Sequence, residues 1–96
     1  MNIRFYIDSD TGCPHIAKHN VSESEVEDVL RRPGEDRPGR DGSRVAIGNT
    51  RGGRYLRVIY IPDPKPDSMF VITAYDLTGA PLKAYRRRCR RGRTGL

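Results

Sequence analysis

The chain has 96 residues and a net charge of +6, with 35% apolar and 31% charged residues. This length suits a single domain with a modest core, and the clustering of the apolar residues excludes a wholly disordered chain. No run of about 18 apolar residues occurs, which excludes a membrane-spanning helix. We find no signal peptide and two distant cysteines, and therefore predict a cytoplasmic protein with reduced thiols.

The first third of the chain predicts a strand, a turn and two helices. Alternating β-formers at residues 3–7 predict the strand, and residues 15–19 form a short helical segment. Ser22 and Glu25 have the spacing of a capping box, with Val21 before the cap as a hydrophobic staple. Val26, Val29 and Leu30 then follow the spacing of a buried helix face, so the second helix is expected to pack on a sheet.

The rest of the chain predicts a meander of strands and a last helix. Residues 33–43 are rich in proline, glycine and charge, which indicates an exposed loop. Three further strands are predicted, at residues 44–50, 54–61 and 69–75, with a glycine turn at residues 51–53 and a last helix from about Pro81. We therefore predict an α+β domain over residues 1–91, with an antiparallel sheet of three to four strands. The N-terminal helices would pack on one face, a basic helix would close the chain, and residues 92–96 would form a flexible basic end.

Strand alternation divides the sheet into two predicted faces. The face toward the core is predicted to hold Val45, Ile47, Leu56, Val58, Tyr60, Phe70, Ile72 and Ala74. The other face would hold Arg44, Tyr55, Arg57, Ile59, Val71, Thr73 and Tyr75. This second face mixes arginine, tyrosine and apolar residues, and we interpret it as partly covered or as a binding face.

The positive charge of the chain is concentrated at its end. Residues 82–96 carry seven Lys or Arg and no acid, whereas residues 1–81 carry 11 Lys or Arg and 12 Asp or Glu. A helix would place Leu82, Tyr85 and Cys89 on one face and leave the arginines on the remaining surface. Arginine pairs with phosphate through two parallel hydrogen bonds, and an aromatic ring can stack on a base. The predicted nucleic-acid contacts here are Tyr85, Arg86, Arg87, Arg88, Arg90 and Arg91. A solvated basic helix that only docks on the sheet remains the alternative.

Two histidines carry most of the predicted chemistry. His15 and His19 are one helical turn apart, a spacing that can hold a metal, but no further ligand set accompanies them, and we predict neither metal nor cofactor. An imidazole can instead act as an acid or base near neutral pH. Arginines beside it supply what metal-free RNA cleavage needs, because they stabilise the charged phosphorane. Ordinary solvated arginines on an exposed sheet face are the alternative.

The order of short motifs resembles the BrnT-type toxins and their uncharacterised relatives, which share a fold with the RelE ribonucleases. The likeness covers about residues 15–75 and rests on Lys18-His19-Asn20-Val21-Ser22, Gly48-Asn49-Thr50, Gly53-Arg54-Tyr55-Leu56 and Val71-Ile72-Thr73-Ala74-Tyr75. The resemblance implies a RelE-like α+β fold, ribonuclease toxicity and an antitoxin partner.

The resemblance and the residues together define a functional hypothesis. The protein would be a toxin-like ribonuclease, or a degenerate relative, that acts on RNA or the ribosome. We predict no association with a membrane. His19, Arg54 and Tyr75 are the predicted catalytic residues, with Arg44 and Arg57 as phosphate contacts. Two other hypotheses stay open, namely a non-catalytic nucleic-acid-binding module and a protein-interaction domain whose basic helix binds an acidic partner.

Overall fold

The structure, a computed structural model, describes the backbone of residues 1–94 and the side chains of residues 1–91. Its five strands are β1 (Asn2–Phe5), β2 (Glu35–Pro38), β3 (Arg44–Asn49), β4 (Tyr55–Pro62) and β5 (Ser68–Asp76). Its helices are a 3₁₀ helix (His15–His19), α1 (Glu23–Arg31) and α2 (Gly79–Thr94). The strands form one sheet in the order β1-β5-β4-β3-β2. The predicted α+β class is therefore confirmed.

The sheet is larger than predicted and is not wholly antiparallel. Strands β2 to β5 form an antiparallel meander, but β1 pairs in parallel with β5. Strand β2 lies in the segment predicted to be an exposed loop. Its sequence Glu-Asp-Arg-Pro has neither β-formers nor alternation, so no local signal marks it. It is an edge strand that forms because the backbone of β3 offers it hydrogen bonds, and the proline near its end suits an edge.

Helix α1 begins at the predicted capping box. The Ser22 backbone N–H donates to Glu25 Oε1 over 3.0 Å, and the Glu25 N–H donates to Ser22 Oγ over 3.2 Å. Val26 and Val29 are fully buried against the sheet, as the spacing predicted. A capped start of this kind stabilises a helix by about 1 kcal/mol.

The predicted core face is correct for β4 and wrong for β3. Leu56 and Val58 of β4 are buried with α1, together with Ala46 of β3. Val45 and Ile47 lie on the opposite face, under α2. Helix α1 covers one side of β3 and α2 covers the other, so apolar residues occur on both faces of this strand. The larger apolar residues therefore do not indicate which face packs on α1.

A β-bulge in β5 accounts for a second error in the predicted faces. The register shifts next to Tyr60 of β4, so that Ile72 is an extra residue in β5. Val71 and Ala74 are both fully buried in the α1 core although they are three positions apart. Phe70 and Ile72, which were predicted to be core residues, are only half-buried. A bulge reverses the alternation beyond it, and strict alternation cannot detect this.

Helix α2 docks on the second face of the sheet through the predicted stripe. Tyr85 is 5% exposed and packs with Ile47, flanked by the partly buried Leu82 and Cys89. The contact is close, because a Cβ atom at Gly34 would collide with the Tyr85 hydroxyl oxygen. The basic helix is therefore a fixed part of the domain.

The remaining sequence predictions concern the chain end, the thiols and the membrane. The predicted flexible end at residues 92–96 lies outside the residues with described side chains and stays a prediction. Cys13 and Cys89 are both free. Over residues 1–94, no helix has the length and apolar character needed to cross a membrane.

Candidate functional site

The 3₁₀ helix lies beside the part of β5 that β1 leaves unpaired. Strand β1 pairs with β5 only as far as Val71, and the Tyr6 N–H donates to the Val71 carbonyl over 2.9 Å as the chain turns away. The 3₁₀ helix then packs against the second half of β5. This arrangement brings exposed His19 to Tyr75, with 5.9 Å between ring centroids. Two predicted catalytic residues, 56 positions apart in the sequence, therefore meet.

Four rings form a continuous row along this edge. Tyr6 and His15 lie 6.2 Å apart, and His15 and His19 lie 5.4 Å apart, both pairs in edge-to-face geometry. Tyr75 closes the row next to His19. Edge-to-face pairs of this kind are favourable ring contacts, and Tyr6 and His19 are exposed while His15 and Tyr75 are half-buried. We call Tyr6, His15, His19 and Tyr75 the ring row.

Arg57 extends this cluster across the sheet, and no described side chain pairs with it. It is the cross-strand neighbour of Tyr75 and is half-buried. Its Nε atom is buried without a hydrogen bond, as is Oγ1 of nearby Thr73. No ion pair to Arg57 occurs among the residues whose side chains are described. A half-buried cation without a carboxylate costs free energy, and an anion or an ordered water offsets that cost.

The Arg54 guanidinium is hydrogen-bonded to carboxylates and carbonyl groups of the protein itself. It donates to Asp76 at 2.5 and 3.1 Å and to Glu25 at 3.1 and 3.2 Å. It also donates to the carbonyl oxygens of Asn20, over 2.7 Å, and His19, over 3.4 Å. The hydrogen bond with Asp76 raises the pKa of Arg54, and Glu25 adds to this although partial burial opposes it. Arg54 therefore holds the His19-Asn20 backbone, and two carboxylates offset its charge.

Arg44 is also engaged and lies on the other face of the sheet. It faces Tyr60 across β3 and β4, on the α1 side, so its predicted place beside Arg57 is wrong. Its Nε donates to Asp36 Oδ1 over 2.9 Å, and the Tyr60 hydroxyl donates to Asp36 Oδ2 over 2.5 Å. Burial and the Asp36 carboxylate raise the pKa of Tyr60 to about 12. This cluster fastens edge strand β2 to the sheet.

A buried carboxylate fixes His15. Asp8 is 8% exposed, and its two oxygens lie 3.1 and 3.2 Å from Nδ1 of His15. Nζ of Lys18 lies 3.5 Å from Oδ2 of the same carboxylate. Burial opposes ionisation of Asp8, but the hydrogen bond from His15 and the charge of Lys18 outweigh it and lower the pKa of Asp8. The sequence gives no sign of this pair, because Asp8 sits in a turn without a motif.

The arginines of α2 have different surroundings. The Arg86 guanidinium lies 5.0 Å from the Tyr55 ring centroid, a cation–π contact on the second sheet face. Arg88 donates to both carboxylate oxygens of Glu35, at 2.6 and 3.0 Å. Arg87 is exposed on the outer surface of the helix. Helix α2 thus contributes to the sheet face and presents basic groups beside it.

Two further predicted nucleic-acid contacts lie on the outer surface, and one does not. Arg90 and Arg91 are exposed. Tyr85, predicted to stack on a base, belongs to the core under α2 and makes a 6.1 Å edge contact with Tyr55. Burial removes its ring from the surface that a base can reach. Among the described residues, no three metal-ligating side chains converge.

These features describe a small α+β domain with an aromatic and cationic sheet face next to two histidines. The chain belongs to the family defined by a domain of unknown function, DUF4258, which matches residues 15–76. No curated protein and no solved structure matches the chain. The matched region includes His15, His19, Arg57 and Tyr75. Asp8 and the arginines of α2 lie outside the matched region.

Proposed function

We propose that this protein binds single-stranded RNA on the second sheet face and cleaves it without a metal ion. One observation carries the proposal: Arg57 is half-buried, has no ion pair within the part of the chain whose side chains are described, and lies directly across from Tyr75, which contacts His19. A guanidinium fork matches the geometry of a phosphate and can donate two parallel hydrogen bonds to it. Neighbouring tyrosine rings suit the faces of unpaired bases.

The chemistry of the cluster suits attack by the RNA 2′-hydroxyl. A base takes the proton of that hydroxyl, and its oxygen forms a bond to phosphorus while the bond from phosphorus to O5′ breaks. An acid protonates O5′, which leaves a 2′,3′-cyclic phosphate and a 5′-hydroxyl. His19 is the acid–base group, Arg57 stabilises the charged phosphorane, and Tyr75 donates a proton or stacks on a base. Because RNA supplies the nucleophile, the reaction needs no co-reactant.

Arg54 has a positioning role in this proposal. Its hydrogen bonds to the carbonyl groups of His19 and Asn20 hold the end of the 3₁₀ helix against β5. Asn20 there has a left-handed backbone with a φ of 57°, a conformation that costs free energy and needs local support. Arg54 supplies that support, so its importance does not depend on touching RNA.

The resemblance to BrnT-type and RelE-like toxins agrees with this chemistry and extends it to biology. It suggests a cytoplasmic toxin whose target is RNA or the ribosome and which an antitoxin protein neutralises. The basic residues of α2 would hold the RNA backbone beside the sheet, as cationic surfaces hold phosphates in general. Growth arrest on induced expression, relieved by His19→Ala, is the expected cellular behaviour. Full toxicity of His19→Ala would contradict the assignment of His19.

The phosphate contact is tested by RNA binding at several salt concentrations. We expect Arg57→Ala to weaken binding of a single-stranded RNA oligonucleotide about tenfold and to reduce the salt slope by about one, since one phosphate contact is lost. Arg51→Ala is the matched control, because Arg51 is 86% exposed on the hairpin turn. Equal binding by the Arg57 and Arg51 variants would refute the assigned contact.

A non-catalytic RNA-binding domain is the second candidate function. It is favoured because carboxylates offset the charges of Arg44 and Arg54. Arg57 is then the main strand arginine that supplies positive charge at the ring row. A single cation stabilises a phosphorane less well than several. Tight, salt-dependent RNA binding by a wild-type protein that leaves RNA intact would select this second candidate.

A further inference from the structure

We propose that His15, held by Asp8, is the general base of this site and that it works as a pair with His19. This inference rests on the proposed ribonuclease function and adds a residue to it. In the sequence, His15 is notable for its one-turn spacing from His19, which suits a metal ligand or an acid–base group. The geometry points to it for a different reason, because the buried carboxylate of Asp8 orients its ring.

Asp8 determines which nitrogen of His15 exchanges a proton. Both carboxylate oxygens lie within 3.2 Å of Nδ1. An ionised carboxylate only accepts hydrogen bonds, so Nδ1 carries the hydrogen, and Nε2 is left as the acceptor. A buried carboxylate in this position also stabilises the imidazolium that forms when Nε2 takes a proton. His15 is therefore prepared to act as a base.

The other groups around His15 fit this role. His19 lies next along the ring row at 5.4 Å between centroids, and the Tyr6 ring packs on the opposite side. Nζ of Lys18 lies 3.5 Å from Oδ2 of Asp8, and its charge favours the ionised carboxylate that accepts from His15. The His15 side chain is 31% exposed, so substrate can reach its outer edge. Of the described titratable groups, Tyr6 and His19 pack on the His15 ring, Asp8 is hydrogen-bonded to it, and Lys18 pairs with Asp8.

A pair of imidazoles balances the protons of the cleavage step. His15 Nε2 accepts the 2′-hydroxyl proton as the new bond from O2′ to phosphorus forms. His19 donates a proton to O5′ as the bond from phosphorus to O5′ breaks. One imidazole gains a proton and the other loses one, and exchange with water restores both. Tyr75 is then free to stack on a base beside Arg57.

The test measures the cleavage of an RNA oligonucleotide in EDTA across pH. We expect His15→Asn, whose amide can still donate to Asp8, to lower kcat roughly a hundredfold. It should also abolish the acidic limb of the pH profile, with RNA affinity unchanged. Asp8→Asn should lower kcat about tenfold at unchanged KM, since it weakens both the orientation of His15 and the stabilisation of its imidazolium. Asp10→Asn, on the exposed neighbouring carboxylate, should match wild type.

The outcomes separate this inference from the proposed function. If wild type cleaves RNA and His15→Asn keeps both kcat and the acidic limb, the role of His15 is refuted while the ribonuclease stands. If wild type cleaves no RNA at any pH, the ribonuclease and this inference both fail. Imidazole nitrogen NMR on wild type gives a check that does not depend on the variants. It should show His15 protonated on Nδ1, and the opposite tautomer would overturn the proposal.

Discussion

At the scale of single residues, Arg54 makes several long-range contacts. It joins the end of the 3₁₀ helix, the start of α1 and the end of β5 through two carboxylates and two carbonyl groups. The sequence marks Arg54 as important through its Gly-Arg motif. It does not reveal the partners, because Asn20 and Asp76 are 34 and 22 positions away and meet Arg54 only in the folded chain.

Removal of Arg54 should destabilise the domain. We expect Arg54→Ala to lower the free energy of unfolding by about 2 kcal/mol, because hydrogen bonds to charged groups are lost and two carboxylates remain without their cation. Urea denaturation measures this directly. Arg51→Ala, on the same hairpin turn, should change the free energy of unfolding by less than about 0.5 kcal/mol. Equal effects of the two substitutions would show that Arg54 has no special structural role.

The same cluster predicts how stability depends on pH. The Arg54 hydrogen bond holds the pKa of Asp76 below its ordinary value, and the Ser22 N–H together with Arg54 does the same for Glu25. A carboxyl group with a lowered pKa in the folded state stabilises the protein above its ordinary pKa, and this contribution is lost as pH falls through the lowered value. We therefore expect the free energy of unfolding to decrease as pH falls below about 4.5.

The Arg54→Ala variant supplies the control for that pH dependence. Without the guanidinium, the pKa values of Asp76 and Glu25 should move back toward their unfolded values. The decrease in the free energy of unfolding between neutral and acidic pH should then be smaller than in wild type. Parallel curves for the two proteins, measured by urea denaturation at each pH, would contradict the assigned origin of the pKa shifts.

At the scale of elements, local sequence signals predicted the helices well and the sheet in part. The capping box of α1 and the apolar stripe of α2 involve residues a few positions apart, and both predictions are confirmed. Strand β2, the phase of β3 and the bulge in β5 depend on pairing between distant segments. No pattern within those segments reports such pairing, which explains why these features were missed.

The docking of α2 predicts the effect of a single methyl group. We expect Gly34→Ala to lower the free energy of unfolding by about 2 kcal/mol, because the added carbon would occupy the place of the Tyr85 hydroxyl and force the ring to move. Thermal or urea denaturation measures the change. Gly52→Ala is the matched control, since its Cβ would meet no atom closer than 3.8 Å. A neutral Gly34→Ala would show that Tyr85 is not closely packed there.

At the scale of the whole molecule, some features of the second sheet face could be predicted from the sequence and others could not. The sequence revealed the arginine-rich helix, His19, Tyr75 and Arg57. It could not reveal that α2 covers only part of this face, or that Asp8 and His15 join the site. It also could not distinguish Arg44 and Arg54, which are ion-paired, from Arg57, which has no ion pair with any described side chain. All three have similar strand-like neighbourhoods in the sequence.

Analysis of the RNA ends after reaction tests the central claim most directly. A labelled single-stranded RNA is incubated in EDTA with wild-type protein and with His19→Ala, and the products are separated and their ends identified. We predict fragments with 2′,3′-cyclic phosphate and 5′-hydroxyl ends from wild type, and at least a hundredfold slower cleavage by His19→Ala. Intact RNA with wild type, fragments with 5′-phosphate ends, or equal cleavage by the variant would contradict it.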